Sequence, residues 1–152
     1  FFLDVTRRLR QQGVLPVFAI GNEGVGTSRS PGNYAEALSV GACDLSHQVP
    51  RFSSSMTFIR PDEPQQPNVV APGKSVVSAK PGGGVSSLDG TSVAAPHVAG
   101  VAALLFEARP TASVAELEAA IQSSCTPLPN DSALRFGFGL VDAPAALQAL
   151  RS

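Results

Sequence analysis

The sequence predicts an α/β domain built on a parallel sheet. Residues 14–20 are continuously apolar and lie between Gly13 and Gly21, and residues 37–42 (ALSVGA) look like a second buried strand; such runs are typical of strands that a parallel sheet buries on both faces. A third run, Thr91–Ala108, is so rich in Ala, Val and Leu that it predicts a helix buried nearly all round. Buried strands followed by helices are the pattern of an α/β domain.

The shorter elements follow from local signals. An amphipathic helix is predicted over residues 2–12, ending at Gly13, because glycine commonly terminates helices. Ser113 followed three residues later by Glu116 is the capping-box pattern and predicts a helix to about Gln122. The other predicted elements are short strands at 68–71, 76–79 and 85–88 and a last helix after Asp142.

Composition limits the classes of protein to consider. A chain of 152 residues with 43% hydrophobic and 15% charged residues can build one core, and it has no internal repeat, so residues 1–152 are expected to be a single domain. The net charge is −1 and no basic stretch is interleaved with aromatics, which argues against a nucleic-acid partner.

No membrane partner is expected either. The apolar run at 93–106 contains Pro96, His97 and Gly100 and is shorter than the about 20 residues that span a bilayer. The first ten residues lack a basic leader before an apolar segment, so no signal peptide is predicted there.

Two polar segments interrupt the apolar pattern. Residues 21–33 are rich in Gly, Ser and Asn and follow the first predicted strand, where open α/β sheets bind their ligands. Residues 51–67 contain three prolines and three adjacent serines, which predicts an exposed excursion before the strand at 68–71.

Cysteines and carboxylates give no sign of a metal site. Cys43 and Cys125 lie outside any C-x-x-C or mixed Cys/His spacing and have small apolar neighbours, so two buried free thiols are expected. The carboxylates form no D-x-D-x-D-G-like cluster, and no metal or other cofactor is predicted for this segment.

Ser92 stands where a loop ending in Asp89 and Gly90 enters a helix. A serine there is exposed at a sharp turn, and its own N–H at the positive end of the helix can stabilise an oxyanion. The alternative is that Ser92 or Thr91 is only an N-cap. His97 is not a suitable base for Ser92, because positions i and i+5 of a helix point about 140° apart.

Longer strings favour the catalytic interpretation. Residues 90–100, GTSVAAPHVAG, closely resemble the nucleophile motif of the subtilisin-like serine proteases, G-T-S-[MVA]-A-x-P-H-V-[AS]-G. Residues 19–24, AIGNEG, resemble the A-x-G-N-x-G motif that carries the family's oxyanion asparagine. Further matches occur in the family's order at 30–42, 52–54, 70–73 and 137–143.

The resemblance covers essentially the whole chain but only the carboxyl-terminal half of such a catalytic domain. It implies a three-layer α/β/α subtilisin-like fold whose parallel sheet is completed by missing amino-terminal strands. It also implies that Ser92 is the nucleophile and Asn22 the oxyanion donor. The residues that it places in substrate binding are Ala19, Ile20, Gly21, Glu23, Arg29 and Thr91.

The family's base histidine lies in an H-G-T-H-like motif and its orienting aspartate in a D-[ST]-G-like motif, and neither string occurs here. The missing half, in cis or as a second chain, is therefore an expected partner, together with a peptide substrate. His97 is expected to pack as a structural histidine of the nucleophile helix, and His47 to be a solvated loop residue.

The resemblance places Arg29 near the floor of the pocket that receives the P1 side chain, which is the side chain just before the scissile bond. Two arrangements of Arg29 remain open, and they imply different specificities. A buried or half-buried guanidinium would favour an acidic P1 residue. Alternatively, Arg29 points into solvent or pairs with Glu23. The excursion at 56–66 departs from the family pattern and has no predicted role.

The resemblance predicts a serine endopeptidase, secreted or extracellular, with calcium possible in the full-length protein. The rival prediction is a non-catalytic subtilase-like module that binds peptide or serves as an interaction domain, since the other triad motifs are missing.

Overall fold

Residues 1–151 are described by a computed structural model, in which they form five helices and seven strands. In chain order the elements are α1 (Phe2–Gln11), β1 (Val17–Ala19), β2 (Leu38–Cys43), β3 (Met56–Thr57), β4 (Gln65–Gln66), β5 (Val69–Pro72), β6 (Val76–Ala79), β7 (Val85–Leu88), α2 (Thr91–Ala108), α3 (Val114–Ser123), α4 (Ala133–Phe136) and α5 (Ala143–Arg151).

The central sheet has three parallel strands in the order β1, β2, β5; the apolar runs predicted a parallel sheet but not this order. All six residues of β2 are buried, which fits a middle strand covered on both faces. The strand β1 is shorter than the apolar run at 14–20, because Pro16 has no N–H for a ladder hydrogen bond and only its carbonyl is used, by Leu38 N at 2.8 Å.

Side chains alternate between the two faces of this sheet. Val40 and Val69 face a large apolar cluster formed with α2, α3 and α5. Cys43 and Val70 face the other way, into a smaller cluster with Leu128 and Phe136. Both faces of the sheet are therefore covered by apolar side chains from later parts of the chain.

Helix α2 lies across the sheet and contacts all three of its strands. Its buried apolar residues are Ala94, Val98, Ala102 and Leu105, a stripe at helical spacing. The prediction that this helix is buried all round is wrong for the described chain, where Leu104 is 59% exposed. The reason is that the sheet, α3 and α5 cover only one side of it.

By length and composition alone, the 18-residue α2 is the one helix in residues 1–151 that could cross a membrane. The core helix of an α/β domain passes the same test. Because α2 packs against β1, β2 and β5, we interpret it as such a core helix.

The predicted start of α3 is confirmed. Ser113 Oγ accepts a hydrogen bond from Glu116 N at 3.2 Å, and Ser113 N donates to Glu116 Oε2 at 2.7 Å, so both halves of the capping box are present. The predicted last helix is α5, at whose start Asp142 Oδ1 accepts from Ala145 N at 2.9 Å.

The excursion contains a feature that the sequence did not predict. Strands β3 and β4 pair antiparallel, with Met56 opposite Gln66, so residues 56–66 form a short hairpin. The strands at 76–79 and 85–88 were predicted, and they pair as β6 and β7 around a turn with three glycines of positive φ. Neither β3 nor the one-turn helix α4 has a periodic apolar pattern long enough to recognise.

We expect Ser113→Ala to lower the free energy of unfolding by about 1 kcal/mol, because the first turn of α3 loses its side-chain acceptor. Urea denaturation of the full-length protein measures this loss. Ser87→Ala, at an exposed position of β7, is the matched control and should change stability by less than about 0.5 kcal/mol. Equal effects of the two substitutions would contradict a stabilising capping box.

Candidate active site

Asn22 and the start of α2 are joined by two hydrogen bonds. Asn22 Oδ1 accepts from Thr91 N at 2.8 Å and from Thr91 Oγ1 at 2.9 Å. With the amide oxygen held in this way, the Nδ2 donors of Asn22 are directed away from Thr91. Asn22 itself is exposed, so these donors are open to a ligand.

Gly90 lies between the polar groups of the site. A Cβ atom added to Gly90 would stand 3.1 Å from Ser92 Oγ, 3.6 Å from Asn22 Nδ2 and 3.7 Å from Ser92 N. The backbone at Gly90 has φ +153, a conformation that side chains disfavour. The glycine thus leaves open a space that a hydroxyl, an amide N–H pair and a backbone N–H surround.

The helix start argues against the N-cap interpretation of Ser92. Gly90 is the N-cap of α2 and supplies no side-chain cap of its own, so neither Thr91 nor Ser92 serves as the N-cap. Ser92 is exposed in the first turn. Among the hydrogen bonds described for residues 1–151, none uses the Ser92 N–H, which lies at the positive end of the helix.

Thr91 and Ile20 lie behind this surface rather than on it. Both are fully buried, at 0% exposure. Thr91 Oγ1 is 3.2 Å from Gly21 O and 3.3 Å from Gly21 N, so the hydroxyl joins the end of β1 to α2. Of the residues predicted to bind substrate, these two therefore support the site, and Ala19 is half-buried in β1.

Glu23 and Arg29 form an ion pair beside Asn22. Arg29 Nε donates to Glu23 Oε1 at 3.0 Å, and the side chain of Arg29 is 69% exposed. This is the second of the two arrangements considered for Arg29, because the guanidinium is solvated and paired. The hydrogen bond from Arg29 holds the pKa of the Glu23 carboxyl below its usual value.

The same pair explains the glycine that precedes Asn22. A Cβ at Gly21 would stand 2.8 Å from Glu23 Oε2 and 3.0 Å from both Arg29 Cγ and Ser54 Oγ. Ser54 Oγ also accepts from Glu23 N at 3.0 Å. The charged pair therefore packs directly over Gly21, next to the exposed amide of Asn22.

The two histidines of the described chain are not positioned as a general base for Ser92. Within residues 1–151, neither forms a hydrogen bond to Ser92. His97 Nδ1 lies 3.0 Å from Val93 O and the side chain is exposed, so the prediction of a packing role is wrong for the described chain. His47 is exposed in a loop, with φ 56, as predicted.

The cysteines are both free, as predicted, although only Cys43 is fully buried. Burial raises the pKa of the Cys43 thiol to about 11 and that of Cys125 to about 12, so both stay protonated and unreactive near neutral pH. No group of three or more His, Cys, Asp or Glu side chains in residues 1–151 is placed to hold a metal ion.

Comparison with known sequences matches most of this chain to one protein family. The model of the subtilase family matches residues 4–140. The chain is 41% identical over 134 residues to the alkaline elastase YaB of Bacillus sp. (strain YaB), an alignment that covers 88% of this chain and 33% of that protein. It is 39% identical over 135 residues to subtilisin Savinase of Lederbergia lenta, covering 89% and 46%.

Solved structures agree with the sequence relatives. The prenylagaramide maturation protease PagA superposes with a TM-score of 0.86 at 30% identity, over 97% of this chain and 54% of that one. The patellamide maturation protease PatA superposes with a TM-score of 0.83 at 32% identity, over 98% and 56%.

The chain belongs to the subtilase family. Its fold is that of part of a subtilisin-like protease domain, which confirms the predicted three-layer α/β class with a parallel sheet. The chain spans about a third of the length of the alkaline elastase YaB and about half the length of the two solved structures.

We expect Thr91→Val to lower the free energy of unfolding by about 1–3 kcal/mol, because the buried backbone groups of Gly21 lose their hydroxyl partner and Asn22 Oδ1 loses one of its two donors. Chemical denaturation of the full-length protein measures this loss. Thr91→Ser is the control, since it keeps the hydroxyl and removes one methyl group. Destabilisation by the serine variant as large as by the valine variant would contradict a structural role of the hydroxyl.

Proposed function

We propose that this chain is the nucleophile-bearing part of a serine endopeptidase. The observation that carries the proposal is the convergence of Ser92 Oγ, Ser92 N and Asn22 Nδ2 on the space left open at Gly90. Membership of the subtilase family supports the same conclusion, since its relatives include a protease, an elastase and a subtilisin by name.

The proposed chemistry is acyl transfer. Ser92 Oγ attacks the carbonyl carbon of the scissile peptide bond, and the Ser92 proton passes to a general base as the tetrahedral oxyanion forms. Asn22 Nδ2 and Ser92 N donate to that oxyanion. Because Thr91 holds the Asn22 amide in place before substrate arrives, its donors need little reorganisation; loss of one such donor typically costs about 10²- to 10³-fold in rate.

The general base is proposed to lie outside these 152 residues. Neither histidine of the described chain reaches Ser92, and the family's D-[ST]-G and H-G-T-H motifs are absent from the sequence. We propose that the other half of the catalytic domain supplies them, in cis or as a second chain. Without a base the 152-residue segment should lose about 10⁴-fold or more in activity.

The wider setting follows from the same proposal. The substrate is a peptide or protein, and an extracellular location is in keeping with the family. Calcium is proposed only as a possible ligand of the full-length protein, and no calcium site is proposed for this segment.

The proposed preference for the P1 side chain depends on the ion pair of Glu23 and Arg29. The pair packs over Gly21, adjacent to Asn22, so a P1 side chain beside the oxyanion site would meet it. Because Glu23 neutralises Arg29, an acidic P1 side chain would have to compete with Glu23 for the guanidinium. We propose that the enzyme has no strong preference for charged P1 residues while this pair is intact.

The proposed nucleophile is tested by labelling with a fluorophosphonate probe. We expect the full-length gene product to be labelled, Ser92→Ala to abolish labelling, and Asn22→Ala to slow it by about 10²-fold or more. The 152-residue segment run in parallel should label slowly, because it lacks the base. Absence of labelling in a well-folded full-length protein would contradict catalysis and favour the peptide-binding module instead.

A second experiment tests the role of the ion pair. In Glu23→Gln the guanidinium of Arg29 loses its carboxylate partner, so we expect the ratio of kcat/KM for P1 Glu over P1 Leu peptides to rise about fivefold. The double variant Glu23→Gln/Arg29→Gln is the control and should lose that gain. An unchanged ratio in the single variant would place Arg29 outside the P1 site.

A further inference from the structure

The hairpin at residues 56–66 is attached to the loop that carries Asn22. We call residues 21–33 the binding loop. Ser55, just before the hairpin, forms bridges with Val25 and Thr27 of this loop. Ser28 Oγ donates to Met56 Sδ at 3.6 Å. These contacts hold the first part of the binding loop against the start of the hairpin.

Arg60, at the tip of the hairpin, holds the last part of the binding loop. Arg60 Nη1 donates to Asn33 O at 2.7 Å, and Arg60 Nε donates to Glu63 O at 2.7 Å. Its guanidinium lies 4.4 Å from the centre of the Phe58 ring. Hydrogen bonds from a charged donor are stronger than those between neutral groups, and the stacking fixes the orientation of the donor.

Asn33 is hydrogen-bonded to three other residues of the binding loop. Asn33 Nδ2 donates to Ser28 Oγ at 3.1 Å, and Asn33 Oδ1 accepts from Ser30 Oγ at 3.0 Å. Asn33 N donates to Arg29 O at 3.1 Å. The carbonyl of Arg29 and the side chains of its two neighbours are therefore hydrogen-bonded to the residue that Arg60 holds.

Arg29 is in turn connected to the proposed oxyanion site. Arg29 pairs with Glu23 through Nε, and Glu23 Oε2 accepts from Asn22 N at 3.0 Å. A continuous series of hydrogen bonds thus runs from the hairpin through Asn33, Arg29 and Glu23 to Asn22. Such a series can set the position of side chains that Arg60 never touches.

We propose that Arg60 is a positioning residue for substrate binding: the hairpin at 56–66 uses its guanidinium to hold the binding loop, and through it Arg29 and Glu23, in the geometry that receives the P1 residue. This inference rests on the proposed protease function. It assigns a role to the excursion that departs from the family pattern. Arg60 does not contact the reacting atoms, so its effect should fall on substrate binding more than on the chemical step.

The test uses the full-length protein with Arg60→Met, which keeps an unbranched side chain against Phe58 and removes the donors. We expect KM for a peptide substrate to rise about tenfold, as for loss of a charge-assisted hydrogen bond, while kcat changes less than about threefold. Hydrogen exchange of the amides of residues 28–33 should become faster. Arg60→Lys should recover part of both effects, because one cationic donor remains.

Arg151→Met, at the exposed end of α5, is the matched control and should leave KM and the exchange of the binding loop unchanged. Unchanged KM in active Arg60→Met, or a fall in kcat alone together with a lower melting temperature, would overturn the proposal. Fluorophosphonate labelling of the wild type distinguishes a failure of the protease function from a failure of the role of Arg60. An unlabelled wild type overturns the protease function, and the role in substrate binding with it, whereas labelled enzyme with the wrong KM result overturns only the role of Arg60.

Discussion

The pair of hydrogen bonds from the N–H and the hydroxyl of Thr91 to Asn22 Oδ1 is the interaction on which the proposed site depends. It joins the end of strand β1 to the first turn of helix α2, across 69 residues of sequence. One acceptor thereby fixes the amide of Asn22 and occupies the N–H that precedes Ser92. The orientation of the Asn22 donors follows from this arrangement, because an amide whose oxygen is bound can present only its nitrogen to a ligand.

Burial keeps this arrangement in place. Thr91 is fully buried while Asn22 and Ser92 are exposed, so the supporting side chain lies in the interior and the proposed catalytic groups lie at the surface. Helix α2 continues from this point into the apolar cluster through Ala94 and Val98. The packing that stabilises the domain therefore also positions the first turn, and a shift of α2 over the sheet would separate Ser92 from Asn22.

The binding loop is held from several directions rather than by its own sequence. Ser54 contacts Glu23, and the hairpin at 56–66 contacts Ser28 and Asn33. Loops that carry function need a rigid scaffold to fix their side chains, and here part of that scaffold is the hairpin at 56–66. Arg60 of that hairpin is linked to the ion pair beside Asn22 through hydrogen bonds alone.

Local patterns predicted the parts of the fold in which neighbouring residues determine the outcome. The capping box at Ser113 and Glu116, the paired strands around three glycines, and the bounds of Thr91–Ala108 all follow from spacing and turn chemistry. The eleven residues from Gly90 identified the family and indicated Ser92 as the proposed nucleophile. The burial of α2 was overestimated, since its composition does not show which of its faces the rest of the described chain covers.

By itself, then, the sequence determined the class of fold, its elements other than β3, β4 and α4, the family and the proposed nucleophile and oxyanion residues. Only the tertiary structure decided that Thr91 and Ile20 are buried supports, that His97 is exposed, that Arg29 is paired with Glu23, and that Arg60 reaches Asn33. These outcomes depend on contacts between residues far apart in the chain or on loop conformation, and neither is encoded in a local pattern of residues.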